Sequence, residues 1–545
     1  MVDFDFGIEQ PTPWQWVDEI PGWMRLSFHD HPPLVFWLEH LSIKFFGENP
    51  VAVRIPSALA GIASVIFLYF IGRRLYSPPV GAISALLFAV TTNHVWISRI
   101  GLQESVLIAF ILASFAAFLK GLERPASPAG GPRWLVAAGA LLGFAFLAKY
   151  NALILAPIFL TILVVRRRDL FRSKWLLLAL FCFLLTISPV VIYNVGLYRA
   201  FGHFDFQFSL LFGQDVAAWQ SRPGQEVLGS YADRIRDFFP RLIEANSPYF
   251  LILSVAGLIA IFWELIRRRT LVMSHSSLVI ILFWLLPFLV FVGPARRFLT
   301  LLTPWLALAA GYAIALIRPA TASTVTPYSN VLKNIRIRNV GFAAALALVV
   351  AGEALYASNS VVALAPAGAA PWAHSRLRRE AHAWGFNELE AYLASTLKGK
   401  MPAVGITFEF PFSRRLLNEA AARGRAEGRE AVAWGIVYND NISVSAQLWV
   451  FLRRITYEGW PVASAENFRR GGGEQFFRDA GIQRIIFVNA TDAALQDRPR
   501  EPSPDGDLME AELRARGLTP REIKNARGEI AFRVYEFALA GSADQ

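Results

Sequence analysis

The chain has 545 residues, 54% of them hydrophobic and 17% charged, with a mean hydropathy of +0.40. That much apolar surface excludes a soluble globule and points to a membrane protein. The net charge of +11 is held in short Arg clusters beside hydrophobic runs, a topology signal rather than a nucleic-acid surface, and the single Cys182 excludes a disulfide framework or a cysteine metal site.

Residues 1–33 hold acids, prolines and aromatics without a continuous apolar core, so they do not read as a signal peptide. They end in His29-Asp30-His31-Pro32-Pro33. The two prolines disfavour helix before them and can open one at Leu34, which sets the polar triplet on a turn at a helix start. The same pattern is an ordinary helix boundary, so these residues alone leave a chemical role open.

Ten windows near span length follow, at about 51–72, 79–97, 104–120, 134–148, 151–165, 175–197, 248–266, 277–293, 298–317 and 340–365. The short pair flanking Lys149 and Tyr150 reads either as two spans or as one broken or re-entrant segment. Basic residues recur at every second loop: Arg73 and Arg74, Lys120 and Arg124, Arg166 to Arg168, Arg267 to Arg269, then Arg318 to Arg338. The positive-inside rule makes these loops cytoplasmic. The alternate loops, with residues 1–50 and everything after 366, then face outward. An outward N-terminus lacking a signal predicts a further span ahead of Met1.

From about Pro371 the composition turns charged and mixed. Strand-like runs at Ala403–Phe408, Ala431–Val437, Arg484–Asn489 and Ile530–Phe537 alternate with helix-like segments, which predicts a small α/β domain. Arg469-Arg470-Gly471-Gly472-Gly473 lacks the spacing of a phosphate-binding loop and reads as a turn. The expected organisation is an outward first loop with a surface helix (1–50), a transmembrane domain of about ten spans (51–366) and an outward α/β domain (371–545).

The ionisable residues of the outward loops carry the functional argument: Asp18 and Glu19, His29 to His31, Arg99 and Glu104, Lys149, and Arg296 with Arg297. Arg296 and Arg297 break the charge pattern that the other Arg clusters obey. A lipid-linked phosphate would compensate them through bidentate guanidinium contacts, and the plainer reading is a pair snorkelling to headgroups. Lys149 lies between apolar stretches, where an ammonium is expensive unless paired. Arg99 and Glu104 read most simply as a structural ion pair, and Asp18 and Glu19 as solvated acids. His94 reads as a packed histidine. Carboxylates able to serve as base or metal ligand thus share one face with cations able to hold a phosphate.

In order along the chain, His29-Asp30-His31-Pro32-Pro33-Leu34 with Trp37, Phe46-Gly47, Ala52-Val53-Arg54-Ile55-Pro56-Ser57, Gly72-Arg73-Arg74-Leu75, Arg99 to Glu104, Leu147-Ala148-Lys149-Tyr150, and Arg296-Arg297-Phe298-Leu299 ahead of Pro304 resemble the polytopic C-type glycosyltransferases, which include protein O-mannosyltransferases and the aminoarabinose transferases of lipid A. The resemblance implies an α-helical polytopic fold and transfer of one sugar from a polyprenyl-phosphate carrier to a lipid, glycan or protein acceptor at the outer face of the cytoplasmic membrane. It matches Asp18 and Glu19 to the family's first-loop acid, taken as base or its partner, and Glu104 to its second. Asp3, Asp5 and Glu9 are alternatives for the first. Lys149, Arg296 and Arg297 match contacts of the carrier phosphate, Arg99 joins them as a binding residue, and Asp30 and His31 are expected to line the site. A divalent cation is a candidate cofactor, with ligands from the acids and His29 or His31. The competing class is a transporter or lipid flippase, which Glu353 inside the last span would suit. A third treats the C-terminal domain as a binding module on a membrane scaffold.

Overall fold

A computed structural model of the chain describes residues 17, 19–123, 131–214, 229–268, 273–317, 329–377, 384–406, 411–443, 446–495 and 502–539. These form two compact units, one over 22–214 and 229–377, the other over 384–539 together with the described residues of 17–21.

In the first unit, local chemistry sets the helix starts. The proline pair opens α1 (Leu34–Phe46) directly after Pro33, as its sequence predicts. Asn49 accepts from the N–H groups of Val51 and Ala52 at 3.0 Å each and, with Pro50 in the first turn, opens α2 (Pro50–Leu75). Ser77 and Pro78 do the same for α3 (Pro78–Val90). Thr91 is extended (φ −66°, ψ 131°) and turns the chain into α4 (Thr92–Ile97), so the window 79–97 is an interrupted helix. Next come α5 (Gln103–Gly121) and α6 (Trp134–Ala148). Lys149 is extended (φ −164°, ψ 139°), and a 3-10 turn over Tyr150–Ile154 leads into α7 (Leu155–Arg166). The Lys120 ammonium lies 3.6 Å from the centre of the Trp134 ring at the start of α6, and Arg167, just past α7, reaches the Leu122 carbonyl. The chain therefore runs out along α6 and back along α7, so the short pair is two helices that begin and end on the same side of the bundle.

Then follow α8 (Lys174–Phe201), α9 (Phe206–Leu211), α10 (Tyr231–Ala245), α11 (Pro248–Arg268), α12 (Met273–Val292), a 3-10 turn over Phe298–Leu301, α13 (Thr303–Leu316), and α14 (Ser329–Ala357), which runs into a π turn over Ser358–Val362. Among the described residues six helices are long and apolar enough to cross a membrane, and four shorter apolar helices fill the remaining windows. The protein is a multi-pass membrane protein. α5 is enclosed over 83% of its apolar window and α8 over 17%, so α5 is the central helix and α8 turns Leu177, Phe181 and Leu185 outward as a lipid-facing surface.

Small residues let α2 and α3 touch. A Cβ at Gly72 would stand 2.8 Å from the Gly81 Cα, and one at Gly81 would stand 2.6 Å from the Tyr69 carbonyl oxygen. Gly81→Val therefore forces backbone apart, an overpacking cost of about 1–3 kcal/mol. The expected result is a lower melting temperature of the purified protein in detergent, and an unchanged one would contradict this packing.

The basic loops gather at one end. Arg74 pairs with Glu123 at 2.6 Å, Arg166 reaches Ser276 at 2.5 Å, and His275 meets the Tyr312 hydroxyl at 3.1 Å. The N-terminus of α5, the C-terminus of α6 and Arg297 meet at the opposite end. The positive-inside reading thus groups loops that are neighbours in space.

The second unit comprises α15 (Phe386–Leu397), β1 (Lys400–Pro402), α16 (Pro411–Ala426), β2 (Glu430–Val432), β3 (Trp434–Tyr438), α17 (Arg453–Glu458), β4 (Val462–Ser464), α18 (Ala465–Arg470), α19 (Gly473–Asp479), β5 (Arg484–Ala490), α20 (Asp505–Ala515), β6 (Arg521–Lys524) and β7 (Ile530–Ala538). Its sheet runs β4-β3-β5-β7-β6, with β4, β3 and β5 parallel and β7 antiparallel to both β5 and β6. Ile485 to Val488 are wholly buried, as a strand covered on both faces requires. This is the α/β domain read from the sequence. One strand is displaced: residues 403–406 are not strand, β1 precedes them, and 407–408 lie outside the described residues. Within Arg469–Gly473 only Gly471 and Gly472 form the turn, since Arg469 and Arg470 close α18 and Gly473 opens α19; Gly472 stands at φ +100°, a backbone region that favours glycine.

Candidate active site

The site is built where two helices break at the same end of the first unit. Glu104 lies in the first turn of α5, where unpaired backbone N–H groups favour an anion, and is 2% exposed. Lys149 follows the last turn of α6, and its extended backbone sends the ammonium onto Glu104 as a buried ion pair. The expected Arg99–Glu104 pair is not formed. Arg99 is exposed on the turn after α4, and Glu104 is taken by Lys149.

Phe298 stands beside this pair. The Lys149 ammonium lies 4.7 Å and the Arg297 guanidinium 5.0 Å from the centre of its ring, so two cations share one aromatic ring. Glu104 neutralises one of them, and among the described residues Arg297 pairs with no carboxylate. Arg296 differs: its guanidinium meets Glu244 of α10, with Nε 3.0 Å from the carboxylate, and its carbonyl accepts from Asn93 Nδ2 at 3.4 Å. The compensation expected from outside the protein is supplied from within for Arg296.

Next to Lys149, Tyr150 donates its hydroxyl to Asp205 at 2.7 Å. Asn194 Nδ2 also donates to Asp205, at 3.0 Å, and the Phe208 N–H does so at 3.0 Å, which caps α9. Asp205 is 1% exposed, and burial raises its carboxyl above the ordinary range against these hydrogen bonds. The sequence reading missed Asp205, Tyr150 and Asn194. The legible signal was an acid in the outward loop 198–247 placed three residues ahead of Phe208, an N-cap spacing.

The first loop holds His29 buried with its ring 5.6 Å from His203 in an edge arrangement, while its carbonyl accepts from the Phe206 N–H at 2.9 Å. Burial, then the neighbouring His203, holds the His29 imidazole down at about 3, so it is neutral at physiological pH. Asp30 and His31 pair with each other at 2.9 Å and lie toward solvent. Glu19 is exposed in a bend, and Asp18 lies outside the described residues, as do Asp3, Asp5 and Glu9. His94 is packed, 3.8 Å from the Phe88 ring centre. Among the described residues no group of three or more His, Cys, Asp or Glu is placed to hold a metal ion.

On α1, Glu39 lies near Gly101, just ahead of α5, and burial raises its carboxyl from 4.5 to about 7. A raised acid favours the folded state while protonated, so this contribution is full below about pH 4.5 and is lost as pH rises through 7. Glu39→Gln should raise the melting temperature at pH 8 and leave it nearly unchanged at pH 4.5. Equal effects at both would show that the carboxyl is not desolvated.

The bundle, with its interrupted helix ends around a buried polar site, has a fold found among solved membrane-protein structures, ArnT from Cupriavidus metallidurans among them. Residues 30–193 match the family described as dolichyl-phosphate-mannose-protein mannosyltransferase. A polyprenol-phosphate-mannose–protein mannosyltransferase of Mycolicibacterium smegmatis is 31% identical over 176 residues, 28% of this chain and 33% of its own length. An undecaprenyl phosphate-α-4-amino-4-deoxy-L-arabinose arabinosyl transferase of Edwardsiella ictaluri is 26% identical over 177 residues, 32% of this chain and 31% of its own. The chain spans 13% to 33% of the length of these and other curated relatives that it matches. Among solved structures, ArnT from Cupriavidus metallidurans in the apo state superposes with a TM-score of 0.52 at 17% identity, covering 94% of this chain and 90% of that one, and the same protein bound to undecaprenyl phosphate gives 0.50 at 16% identity, covering 94% and 88%.

Proposed function

We propose that this chain is a glycosyltransferase that moves a single sugar from a polyprenyl-phosphate carrier to a lipid, glycan or protein acceptor at the outer face of the cytoplasmic membrane. The observation that carries this reading is the buried Lys149–Glu104 pair with Arg297 across Phe298, one carboxylate against two cations at a helix-break end of a membrane bundle. That surplus fits a phosphate. In the chemistry we propose, the acceptor hydroxyl attacks the anomeric carbon, the bond from that carbon to the phosphate oxygen breaks, and the polyprenyl phosphate departs onto Lys149 and Arg297. The acceptor proton passes to a carboxylate drawn from Asp18, Glu19 and Glu104. One displacement inverts the anomeric configuration. The pairing of Glu104 with Lys149 favours an orienting role for it and leaves the proton to the first-loop acids. Asp30, His31, Arg99 and Arg296 are further binding candidates, and the proposal takes the α/β domain of 371–545 as extracytoplasmic, a reading that the charge pattern of the loops supports.

A transporter would set its binding groups near mid-bundle, whereas Glu104, Lys149, Asp205 and Arg297 all stand at one end. The test is transfer from a radiolabelled sugar on undecaprenyl phosphate, with purified protein in vesicles. Release of carrier phosphate with an inverted product is expected. Full turnover in an Asp18→Asn, Glu19→Gln, Glu104→Gln triple variant would sink the residue assignment, and vectorial movement of label without transfer would sink the enzyme reading.

A further inference from the structure

The second unit holds a cavity that the proposed transfer chemistry does not use. It has a volume of about 380 Å³ and lies between α18, α19 and the end of α20, beside the Arg469–Gly473 segment that stood out in the sequence. That volume is near the lower end of the roughly 300–1,000 Å³ of small-molecule sites, room for about one or two sugar rings. The apolar part of its lining is buried: Phe468, Met509 and Leu513 form it, and the Phe468 ring is fixed edge-on to Phe477 at 4.9 Å between ring centres. Two ion pairs complete the lining. Arg469 of α18 meets Glu512 of α20 at 2.6 Å, and Glu474 of α19 pairs with Arg516, just past α20. Both guanidinium groups are held a second time, since Arg469 Nε lies 3.1 Å from Asp505 and Arg516 lies 5.4 Å from the centre of the Phe537 ring. Gly472 and Gly473 also line the cavity, and nothing stands within 4 Å of the place a Cβ of Gly473 would take.

The lining charges cancel, two guanidinium groups against two carboxylates. An anion drawn by either arginine would meet a glutamate already bound to it, and a cation would meet the reverse. What the pairs offer instead is forks: a guanidinium presents parallel N–H donors and a carboxylate two acceptor oxygens, and each matches a pair of neighbouring hydroxyls, which both accept and donate. A pyranose carries such hydroxyl pairs around a ring whose C–H faces are apolar, so it suits both parts of the lining. A wholly apolar ligand would cover the forks without giving them partners, at a desolvation cost. We infer that this pocket of the α/β domain binds the neutral end of a glycan. The inference goes beyond the proposed function and is tested without any transfer of sugar. Under that function it would favour a glycan among the acceptor classes.

The test uses the full chain in lipid nanodiscs, since glucoside and maltoside detergents are themselves candidate ligands. Saturation-transfer NMR is run with the methyl glycosides of mannose, galactose, glucose and N-acetylglucosamine, and with inorganic phosphate, glucuronate and tri-alanine as the anionic and peptide alternatives. At least one glycoside should bind with a Kd on the order of 1 mM or tighter. In the double variant Glu474→Ala, Glu512→Ala its binding should weaken on the order of tenfold or more, as two charged acceptors are removed. Silence from all the glycosides overturns the inference, as does stronger binding of phosphate, glucuronate or tri-alanine, or glycoside binding unchanged in the double variant. Amide hydrogen exchange of the wild type needs no variant: the bound glycoside should slow exchange in residues 468–475 and 509–516 and leave α15 unchanged. Absence of that protection overturns the inference even where the double variant fails to fold. Failure of the wild type to transfer sugar would sink the proposed function and leave this comparison intact.

Discussion

Lys149→Met is expected to lower sugar transfer by about 10²- to 10³-fold, the scale seen when one preorganised donor to developing charge is removed. The replacement keeps the length of the side chain and deletes the ammonium, so Glu104 is left buried without its partner. That alone costs stability, about 3–5 kcal/mol for a broken buried pair. The double variant Lys149→Met, Glu104→Gln separates the two effects. With the carboxylate neutralised, the melting temperature should return toward wild type. Transfer should remain low if the ammonium contacts the leaving phosphate. Recovery of both stability and turnover in the double variant would reduce Lys149 to a structural counter-ion.

Arg297→Ala should raise the KM for the lipid-phosphate donor by about 10- to 100-fold, the worth of a charge-assisted hydrogen bond of roughly 1.5–3 kcal/mol. Arg297→Lys should recover only part of this, since an ammonium lacks the planar fork that meets two phosphate oxygens. Product inhibition by undecaprenyl phosphate should weaken in parallel. Arg296→Ala serves as the contrast. Its guanidinium is already committed to Glu244, so its loss should act first on stability and less on donor KM. A donor KM unaffected by Arg297→Ala would remove this residue from the phosphate site, whatever the other variants do.

The apolar helices were legible because apolar windows of that length have few other uses, and the ten windows are occupied by six long and four shorter helices among the described residues. Helix starts were legible where a proline pair or an Asn-Pro step marks them, at Leu34 and Pro50. The interruptions were not. Thr91 and Lys149 are extended inside apolar sequence that by itself continues a helix, and at Lys149 what holds the break is tertiary, the ion pair of its ammonium with Glu104. Lys149 and Glu104 were both singled out, but their pairing across 45 positions was not, and Arg99 stood five residues away as the more economical partner. Arg296 and Arg297 looked alike in sequence. Glu244, on a helix whose placement no local pattern gives, makes them unequal. Asp205 escaped notice because its burial depends on Asn194 and Tyr150 arriving from two other elements.

The brevity of α6 sets the depth at which chemistry occurs. Its 15 residues rise about 22 Å, against a hydrocarbon layer of roughly 30 Å. If the basic end of α6 sits at one boundary of that layer, Lys149 would lie about 8 Å short of the other. α8, at 28 residues, rises about 42 Å and overtops the same layer. In the proposed reaction a carrier lipid would reach Lys149 by moving its phosphate only slightly inward from the headgroup plane, and a water-borne acceptor would descend to meet it. The recess would keep the sugar–phosphate bond away from bulk water until the acceptor hydroxyl has displaced it.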